Sequence, residues 1–504
     1  MNRSSATPTT GLAALLLALV FMATAPMALA DGGPAGQRRL TMRRAFFGQL
    51  ETRMRGNPDR MVEVLVRVKT AHSARALVDE GPLPEGLETR KLAVATACRS
   101  VVDGLAAIDR SPMQVLPGLP SEPTVLNTFW AARCVHLRVP ASSLPMLLSR
   151  PDVDGVFEDV TLQALPPGEH TRVQGLFAAS GDGWGQNQIR SAQARQQFRV
   201  DGTGVVLGQI DTGIDATHPA LAGRVLRFRD FINGRMAPYD DQGHGTHTAG
   251  TMVGAGGMGV APGARLVVAK ALDARGGGSL SRLLAAMHWM LDPDGDPRTA
   301  DQPVAVNNSW GVDRSEIEAE GHETTLFWET IRAWRSAGIV PVFAAGNTGT
   351  GRTLIPGSYP TNLAVAATDP ADRVTAFSGS GRIDWIGWAF YKPDLAAPGL
   401  DIRSAAPGGG VAVKSGTSMA TPHVTGLIAL QAQLAPRMAV RDRELMLLDG
   451  CVDIGDPGRG QRSGEGRIDA IKALSLTSNF RPSPRSSGEY APVFMRARRF
   501  RVSR

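Results

Sequence analysis

Three short motifs carry residue types that together can perform acyl transfer. IDTGID places Asp211 after an apolar run, GHGTHTAGT places His244 between two glycines, and SGTSMATPHVTG places Ser418 before an apolar stretch. Acyl transfer needs a hydroxyl nucleophile, a base that takes its proton and a carboxylate that orients the base. We therefore expect Ser418 as nucleophile, His244 as general base and later acid, and Asp211 as the orienting carboxylate.

Each motif alone also has an ordinary structural explanation. An aspartate that ends a strand is often a turn residue, and a serine before a helix is most often an N-cap. His244 and His247 have a spacing that suits a metal pair on one helix. The order of the three residues along the chain favours the catalytic interpretation, because Asp, His, Ser is the triad order of subtilisin.

Over residues 187–474 the chain resembles the subtilisin-like serine proteases. The resemblance rests on the three motifs and on AAGNTG at 344–349, which follows the apolar run IVPVF. It implies that the Asn347 side-chain amide and the Ser418 backbone N–H bind the oxyanion. It also implies that a substrate pairs as an added strand with two backbone edges. These edges are Gly276, Gly277 and Gly278 on one side and Ser309, Trp310 and Gly311 on the other.

Several positions leave details open. Trp310 stands where relatives often have a smaller apolar residue, so it either narrows a subsite or packs in the interior. Pro356 matches a family proline that is commonly cis. We interpret His247 and His423 as residues that stabilise local structure rather than as metal ligands.

The chemistry needs no cofactor, and no metal ligand is predicted in the site. Many relatives hold structural calcium through an aspartate soon after the catalytic one. The corresponding stretch here is HPAL, and the methyl group of Ala220 cannot ligate calcium. The acidic loop DPDGD at 292–296 is interpreted as a surface turn, so the sequence leaves structural calcium open.

The elements around the motifs predict an α/β fold, with a mostly parallel, subtilisin-like sheet and helices on both faces. Apolar runs typical of buried strands alternate with runs of helical spacing. The strand runs are 205–211, 266–272, 304–309, 339–346 and 363–368, and the helical runs are 280–291 and 326–337. Ligand sites in such sheets lie at the carboxyl ends of the strands, where Asp211 is placed.

The rest of the chain divides into five segments. Residues 1–30 have the pattern of a secretory signal peptide, with an uncleaved membrane anchor as the alternative. The others are a basic stretch (31–59), a small α+β domain (60–164), a Pro- and Gly-rich linker (165–186) and a basic tail predicted to be disordered (475–504). The resemblance implies that residues 60–164 are an inhibitory propeptide domain.

Self-cleavage is expected after Leu162 or Ala164 or within the linker. The bond after Leu165 is a poor candidate, because Pro166 has a fixed φ and no N–H. The function predicted is an exported serine endopeptidase, secreted, periplasmic or at the cell surface, with no stable membrane anchor after signal cleavage. Its partners are protein or peptide substrates and its own propeptide as intramolecular inhibitor.

Other function classes fit the sequence less well. Residues 187–474 carry 28 Lys and Arg against 29 Asp and Glu, so no nucleic-acid partner is expected. A catalytically inactive relative kept as a binding scaffold would not need an intact triad. An esterase of another fold would carry a G-x-S-x-G motif, which this sequence lacks.

Overall fold

The computed structural model describes residues 57, 59–68, 123–150, 153–164, 170–176, 183–296, 299, 301–314, 325–385, 388–455 and 458–481. The predicted signal peptide, nearly all of the basic stretch and most of the basic tail lie outside these residues.

Strands and helices alternate along most of the described chain. The strands are β1 Met61–Val68, β2 Thr124–Phe129, β3 Cys134–Pro140, β4 Val153–Glu158, β5 Thr161–Gln163, β6 His170–Leu176, β7 Val206–Asp211, β8 Val225–Asp230, β9 Arg265–Lys270, β10 Gly277–Ser279, β11 Ala305–Asn308, β12 Val340–Ala344, β13 Leu363–Thr368, β14 Gly381–Trp385, β15 Trp388–Lys392, β16 Leu395–Pro398, β17 Ile402–Ala406 and β18 Gly410–Ser415. The α-helices are α1 Leu144–Ser149, α2 Trp184–Gln188, α3 Ser191–Phe198, α4 His244–Val253, α5 Leu280–Trp289, α6 Trp328–Ser336, α7 Thr417–Leu434, α8 Val440–Asp449 and α9 Ala470–Asn479.

A seven-stranded sheet forms the centre of the larger domain. Its order is β16-β13-β12-β11-β7-β9-β8, and every pair of neighbours is parallel. Alternate residues of β9 enter different cores: Val267 and Ala269 face one, and Leu266 and Val268 face the other. Because both faces are buried, the inner strands are apolar along most of their length rather than alternating, whereas the edge strand β8, VLRFRD, is only partly buried. The predicted α/β fold is confirmed.

Helices cover the two faces of this sheet. Helices α5 and α6 contribute to the core on one side, and α4, α7 and α9 to the core on the other. Helix α6 ends before Gly338, whose φ of 91° is the left-handed conformation that favours glycine after a helix. Helix α7 begins just after the hairpin β17–β18 and runs against the sheet.

The N-terminal domain is a four-stranded antiparallel sheet with the order β2-β3-β1-β4. One face packs on α1 in a small core that includes Val66 and Leu147. Residues of the other face, including Leu65 and Phe157, belong to the same buried cluster as α5 and α6. This domain is therefore docked through an apolar face on two helices of the larger domain.

Regular structure occurs within the segment predicted to be a linker. Strand β6 pairs antiparallel with β18, with His170 opposite Ser415 and Leu176 opposite Gly410. Helix α2 occupies the end of the same segment. Strand β6 was not predicted from the sequence, because its partner β18 lies far away in the chain and the two do not form a local hairpin pattern.

Candidate active site

Asp211 and His244 meet at the carboxyl end of the central sheet. Strand β7 ends at Asp211 and helix α4 begins at His244. His244 Nδ1 lies 2.7 Å from Asp211 Oδ1, and both side chains are fully buried. The Thr212 N–H donates to the same oxygen, and the Thr248 hydroxyl donates to Asp211 Oδ2. The carboxylate is thus fixed from several sides and can hold the proton on Nδ1, which makes Nε2 the basic nitrogen.

Asp240 was not predicted from the sequence, yet it joins the two catalytic loops. Its Oδ1 accepts hydrogen bonds from the Thr212 hydroxyl at 2.9 Å and from the Gly243 N–H at 2.8 Å. Its Oδ2 accepts from the Thr246 N–H and hydroxyl. Burial opposes ionisation of this carboxyl, but these hydrogen bonds hold its pKa below the usual range. An aspartate just before a helix start was the available signal.

Lys270 stabilises the same loop from the neighbouring strand. Its Nζ donates to the Thr212 carbonyl at 2.6 Å, to Asp241 Oδ1 at 2.6 Å and to the Leu272 carbonyl at 3.0 Å. The side chain is fully buried, and these three acceptors replace the water it loses. A lysine at the end of an otherwise apolar strand could have indicated this role.

Ser418 is the second residue of α7 and is fully buried. Its hydroxyl donates to the Ser309 carbonyl at 3.1 Å, and the Ser309 hydroxyl donates to the Ser418 carbonyl at 2.8 Å. The helix N-terminus places partial positive charge at this point. The structure therefore brings the predicted nucleophile against the edge 309–311.

Asn347 is oriented by the residue that precedes Ser418. Asn347 Oδ1 accepts from the Thr417 N–H at 2.9 Å and from the Thr417 hydroxyl at 3.0 Å. Since the amide oxygen takes both bonds, the Nδ2 donor points the other way. Thr417 is a positioning residue that the sequence motifs did not single out.

The two glycine-bearing edges hold a strand of the chain itself. Strand β5 pairs antiparallel with β10, which sets Leu162 opposite Gly278 and Gln163 opposite Gly277. The Ala164 N–H then donates to the Gly276 carbonyl at 3.0 Å, and the Gly311 N–H donates to the Ala164 carbonyl at 2.9 Å. All the predicted backbone positions except Ser309 and Trp310 thus contact residues 162–164 directly.

The side chain of Trp310 lies in the interior. It is fully buried and packs edge-on against Phe327 and Phe343, with ring centroids 6.0 and 5.7 Å apart. Of the two roles left open by the sequence, packing is the one observed for this side chain.

The two other histidines of the motifs contact backbone carbonyls. His247 Nε2 lies 3.0 Å from the Ile402 carbonyl oxygen, which ties α4 to β17. His423 Nδ1 lies 2.9 Å from the Met419 carbonyl oxygen, and burial lowers its pKa to about 4. Both contacts are structural. The Ile355–Pro356 peptide bond is cis.

The HPAL stretch does not fit a calcium site. Ala220 is buried, and its N–H donates to His218 Nδ1, so this position presents a methyl group where relatives present a carboxylate. Elsewhere among the described residues, three carboxylates converge within 4.8 Å of one another, and Arg227 approaches two of them. They are Asp292, Asp294 and Asp301.

Comparison with known proteins decides the family. Residues 202–466 match the model of the subtilase family, which is more than half of the chain. The chain belongs to the subtilase family. The matched region includes the Asp211–His244 pair, Asn347 and Ser418, so these residues lie within the domain that defines the family.

This subtilase is similar to several proteins named as a peptidase, a serine proteinase or a subtilisin. It is 34% identical over 341 residues to bacillopeptidase F of Bacillus subtilis strain 168, 39% over 235 residues to a thermophilic serine proteinase of Bacillus sp. strain AK1, and 34% over 257 residues to subtilisin Savinase of Lederbergia lenta. The matches cover 60%, 46% and 50% of this chain. They span 23%, 52% and 85% of those relatives, so this chain covers only part of the first two.

Proposed function

We propose that this subtilase is an exported serine endopeptidase that is made as an inactive precursor and activates itself by cutting its own N-terminal segment. The proposal rests first on the position of residues 161–164. They lie as an added strand between two glycine-bearing edges, and the edge 309–311 also accepts the hydrogen bond of the Ser418 hydroxyl. A peptide substrate held in this way would present its backbone to the nucleophile whatever most of its side chains are.

The reaction would run through a covalent intermediate. The Ser418 hydroxyl leaves the Ser309 carbonyl, gives its proton to His244 Nε2 and attacks the carbonyl carbon. Asp211 stabilises the imidazolium that forms, while Asn347 Nδ2 and the Ser418 N–H receive the negative oxygen. His244 then protonates the leaving amine, and the acyl group stays on Ser418 until water, deprotonated by His244, releases it.

The N-terminal domain is proposed as the inhibitor. It reaches the cleft through β5 and is anchored on α5, where the Ser281 N–H and hydroxyl both donate to Asp159. Strand β6 continues along β18, which ends three residues before Ser418. Strand β5 thus occupies the two edges where a substrate would pair, and a substrate cannot bind there until this strand leaves.

A fluorophosphonate probe tests this function directly. It reacts with a serine hydroxyl only where a base activates that hydroxyl, so we expect processed protein to be labelled at Ser418 and to hydrolyse casein. A scaffold without activity would remain unlabelled, and an exported protein that is labelled but cuts no polypeptide would contradict the endopeptidase proposal.

Replacement of Asn347 by alanine should lower kcat while leaving KM within about threefold of the original. The Nδ2 donor acts on charge that develops only in the transition state, and loss of one such donor in subtilisin costs about 10²–10³ in kcat. Steady-state kinetics on a peptide anilide measures both constants. Asn479→Ala, on the surface of α9, is the matched control. A kcat close to that of the control would remove Asn347 from the oxyanion site.

His288 links inhibition to pH. It lies on α5 under the N-terminal domain, with the Trp130 ring edge-on at 4.5 Å and the Phe129 ring at 6.1 Å. Burial lowers its pKa to about 3. When the domain leaves, the ring regains water and its pKa returns towards about 6.5. The state in which the N-terminal domain has dissociated therefore binds one more proton, on His288, than the docked state. A lower pH thus favours dissociation of the domain.

The dissociation constant of the cut N-terminal domain should rise as the pH falls below about 6.5, by up to about tenfold per unit, and should not depend on His288 above that value. The measurement follows the fraction of processed protein that is free of the N-terminal domain at equilibrium between pH 7 and 4. His288→Gln should flatten the profile, and a slope that remains comes from other groups of the N-terminal domain, such as His136, whose pKa burial also lowers. Identical profiles for the two proteins would contradict the linkage.

Export is proposed from the sequence of residues 1–30. In the part of the chain that the structure describes, no helix is long and apolar enough to cross a membrane. A radiolabelled precursor expressed in bacteria should be shortened at its N-terminus on export, and retention in the cytoplasm would contradict this part of the proposal.

A further inference from the structure

A crevice opens where two neighbouring strands of the sheet end. Strands β11 and β12 are parallel neighbours, with Asn308 opposite Phe343. Beyond them the chains separate into the segments 309–311 and 345–347. The first accepts the hydrogen bond of the Ser418 hydroxyl, and the second carries the amide of Asn347. The crevice between these segments thus leads directly away from the reacting atoms.

Leu354 fills this crevice. Its N–H donates to the Ala345 carbonyl at 3.2 Å, and the next residue, Ile355, exchanges two backbone hydrogen bonds with Val312 at 2.8 and 2.9 Å. The loop that carries Leu354 therefore bridges the two segments. The Leu354 side chain is 4% exposed.

Glycines on both walls bring the backbone against this side chain. A Cβ built on Gly311 would lie 2.7 Å from Leu354 Cβ, and one built on Gly346 would lie 2.5 Å from Leu354 Cγ. Gly346 also has a φ of 102°, which side chains rarely adopt. Neither Gly311 nor Gly346 has room for a side chain beside Leu354, so the size of Leu354 sets how much space the crevice leaves between these two glycines.

The residue before the cut bond must place its side chain here. Gly311 holds the Ala164 carbonyl, and from that point the bound strand continues towards Ser418. The carbonyl under attack has to reach Asn347 Nδ2 and the Ser418 N–H, which lie at the mouth of the crevice. The side chain on that residue therefore points between the two glycine-bearing segments.

We propose that Leu354 closes this subsite and makes the protein cut after small residues, glycine, alanine or serine, in preference to large apolar or aromatic ones. The inference rests on the proposed endopeptidase function. A large side chain would have to displace Leu354 from between the walls, and a mismatch of one or a few methylene groups in such a pocket changes kcat/KM by about 10–200-fold.

The surrounding loop resists that displacement. The Thr348 hydroxyl donates to the Arg352 carbonyl at 2.8 Å, and the Arg352 guanidinium pairs with Asp313 on the opposite segment. The ion pair is largely exposed and adds little stability by itself, but it spans the two sides of the crevice.

The same subsite bears on self-cleavage. Because Gly311 binds the Ala164 carbonyl, this carbonyl is not the one presented to Ser418, so the cut lies beyond Ala164 in this register. The next residues are Leu165, Pro166 and Pro167, and the first small residue after them is Gly168. We expect the processed N-terminus to follow a small residue of this kind.

The experiment compares peptides that differ only in the residue before the cut bond, alanine, leucine or phenylalanine, with active sites counted by the fluorophosphonate probe. The processed wild type should show a kcat/KM for alanine at least about tenfold above that for phenylalanine. Leu354→Gly should raise the phenylalanine value by about 10–100-fold and leave the alanine value within about threefold.

Each other outcome has a definite meaning. A wild type that is labelled but prefers phenylalanine overturns the subsite proposal and leaves the protease function intact. No labelling at all overturns the protease function instead. If Leu354→Gly does not fold, Leu354→Ala and Leu354→Val replace it, and phenylalanine hydrolysis should rise as the side chain becomes smaller. An unchanged ratio across this series also overturns the proposal.

Discussion

Replacing Ser418 by alanine should abolish both peptide hydrolysis and self-processing, with kcat lower by about 10⁶, the loss measured for the nucleophile of subtilisin. The methyl group cannot form the acyl intermediate, and what remains is binding and oxyanion stabilisation. The buried Ser418 hydroxyl bonds only to the Ser309 carbonyl among the contacts described, so its loss leaves one carbonyl without this donor and the fold intact.

The measurement follows precursor expressed without residues 1–30. Wild type should convert to a fragment that lacks roughly the first 165–182 residues, at a rate independent of protein concentration because the cut segment is tethered. Ser418→Ala should remain full length. The control is Ser478→Ala, on the exposed face of α9, which should process normally. If purified Ser418→Ala shortens as fast as wild type, another nucleophile performs the cut.

The second largest loss is expected for Asp211→Asn, about 10⁴-fold in kcat, as in another serine protease with the same triad. Asparagine keeps the size of the side chain, but an amide N–H facing His244 Nδ1 would favour the wrong tautomer. The oxygen that His244 contacts at 2.7 Å carries the charge that stabilises the imidazolium, and no water reaches this buried pair.

Steady-state kinetics at several pH values checks this prediction, with thermal unfolding to show that the protein remains folded. Asp384→Asn, at a surface position of β14, is the matched control and should retain full activity. If kcat of Asp211→Asn falls by less than about tenfold, other groups orient His244. The start of α4, which Asp240 holds through the Gly243 and Thr246 N–H groups, would be the candidate.

The sequence predicted the parts of the site that short contiguous motifs carry. Asp211, His244 and Ser418 each lie at the end of a strand or the start of a helix, and parallel strands bring those ends to one edge of the sheet. The five strands predicted from the sequence are largely apolar runs buried on both faces, which makes them recognisable without knowledge of their partners, whereas the edge strands β8 and β16 were not predicted.

Residues whose role depends on distant neighbours could not be found in this way. Asp240 and Lys270 fix the loop after β7 through hydrogen bonds to Thr212. Thr417 orients the side-chain amide of Asn347. No sequence motif singles out Leu354. Its proposed role depends on the segments of Gly311 and Gly346, which contact it only in the folded protein. The edge role of Trp310 stays a prediction, but its ring points inward, where it packs against Phe327 just before α6 and Phe343 on β12.

The pairing of β6 with β18 separates cleavage from opening of the cleft. A single cut within 165–169 would free β5, which can then leave β10 together with the N-terminal fragment. Strand β6 remains covalently joined to the larger domain and is held on β18 by its own backbone hydrogen bonds, so it can unpair but cannot dissociate. Departure of the N-terminal fragment and unpairing of β6 are therefore two steps with separate rates, and breaking the peptide bond completes neither of them.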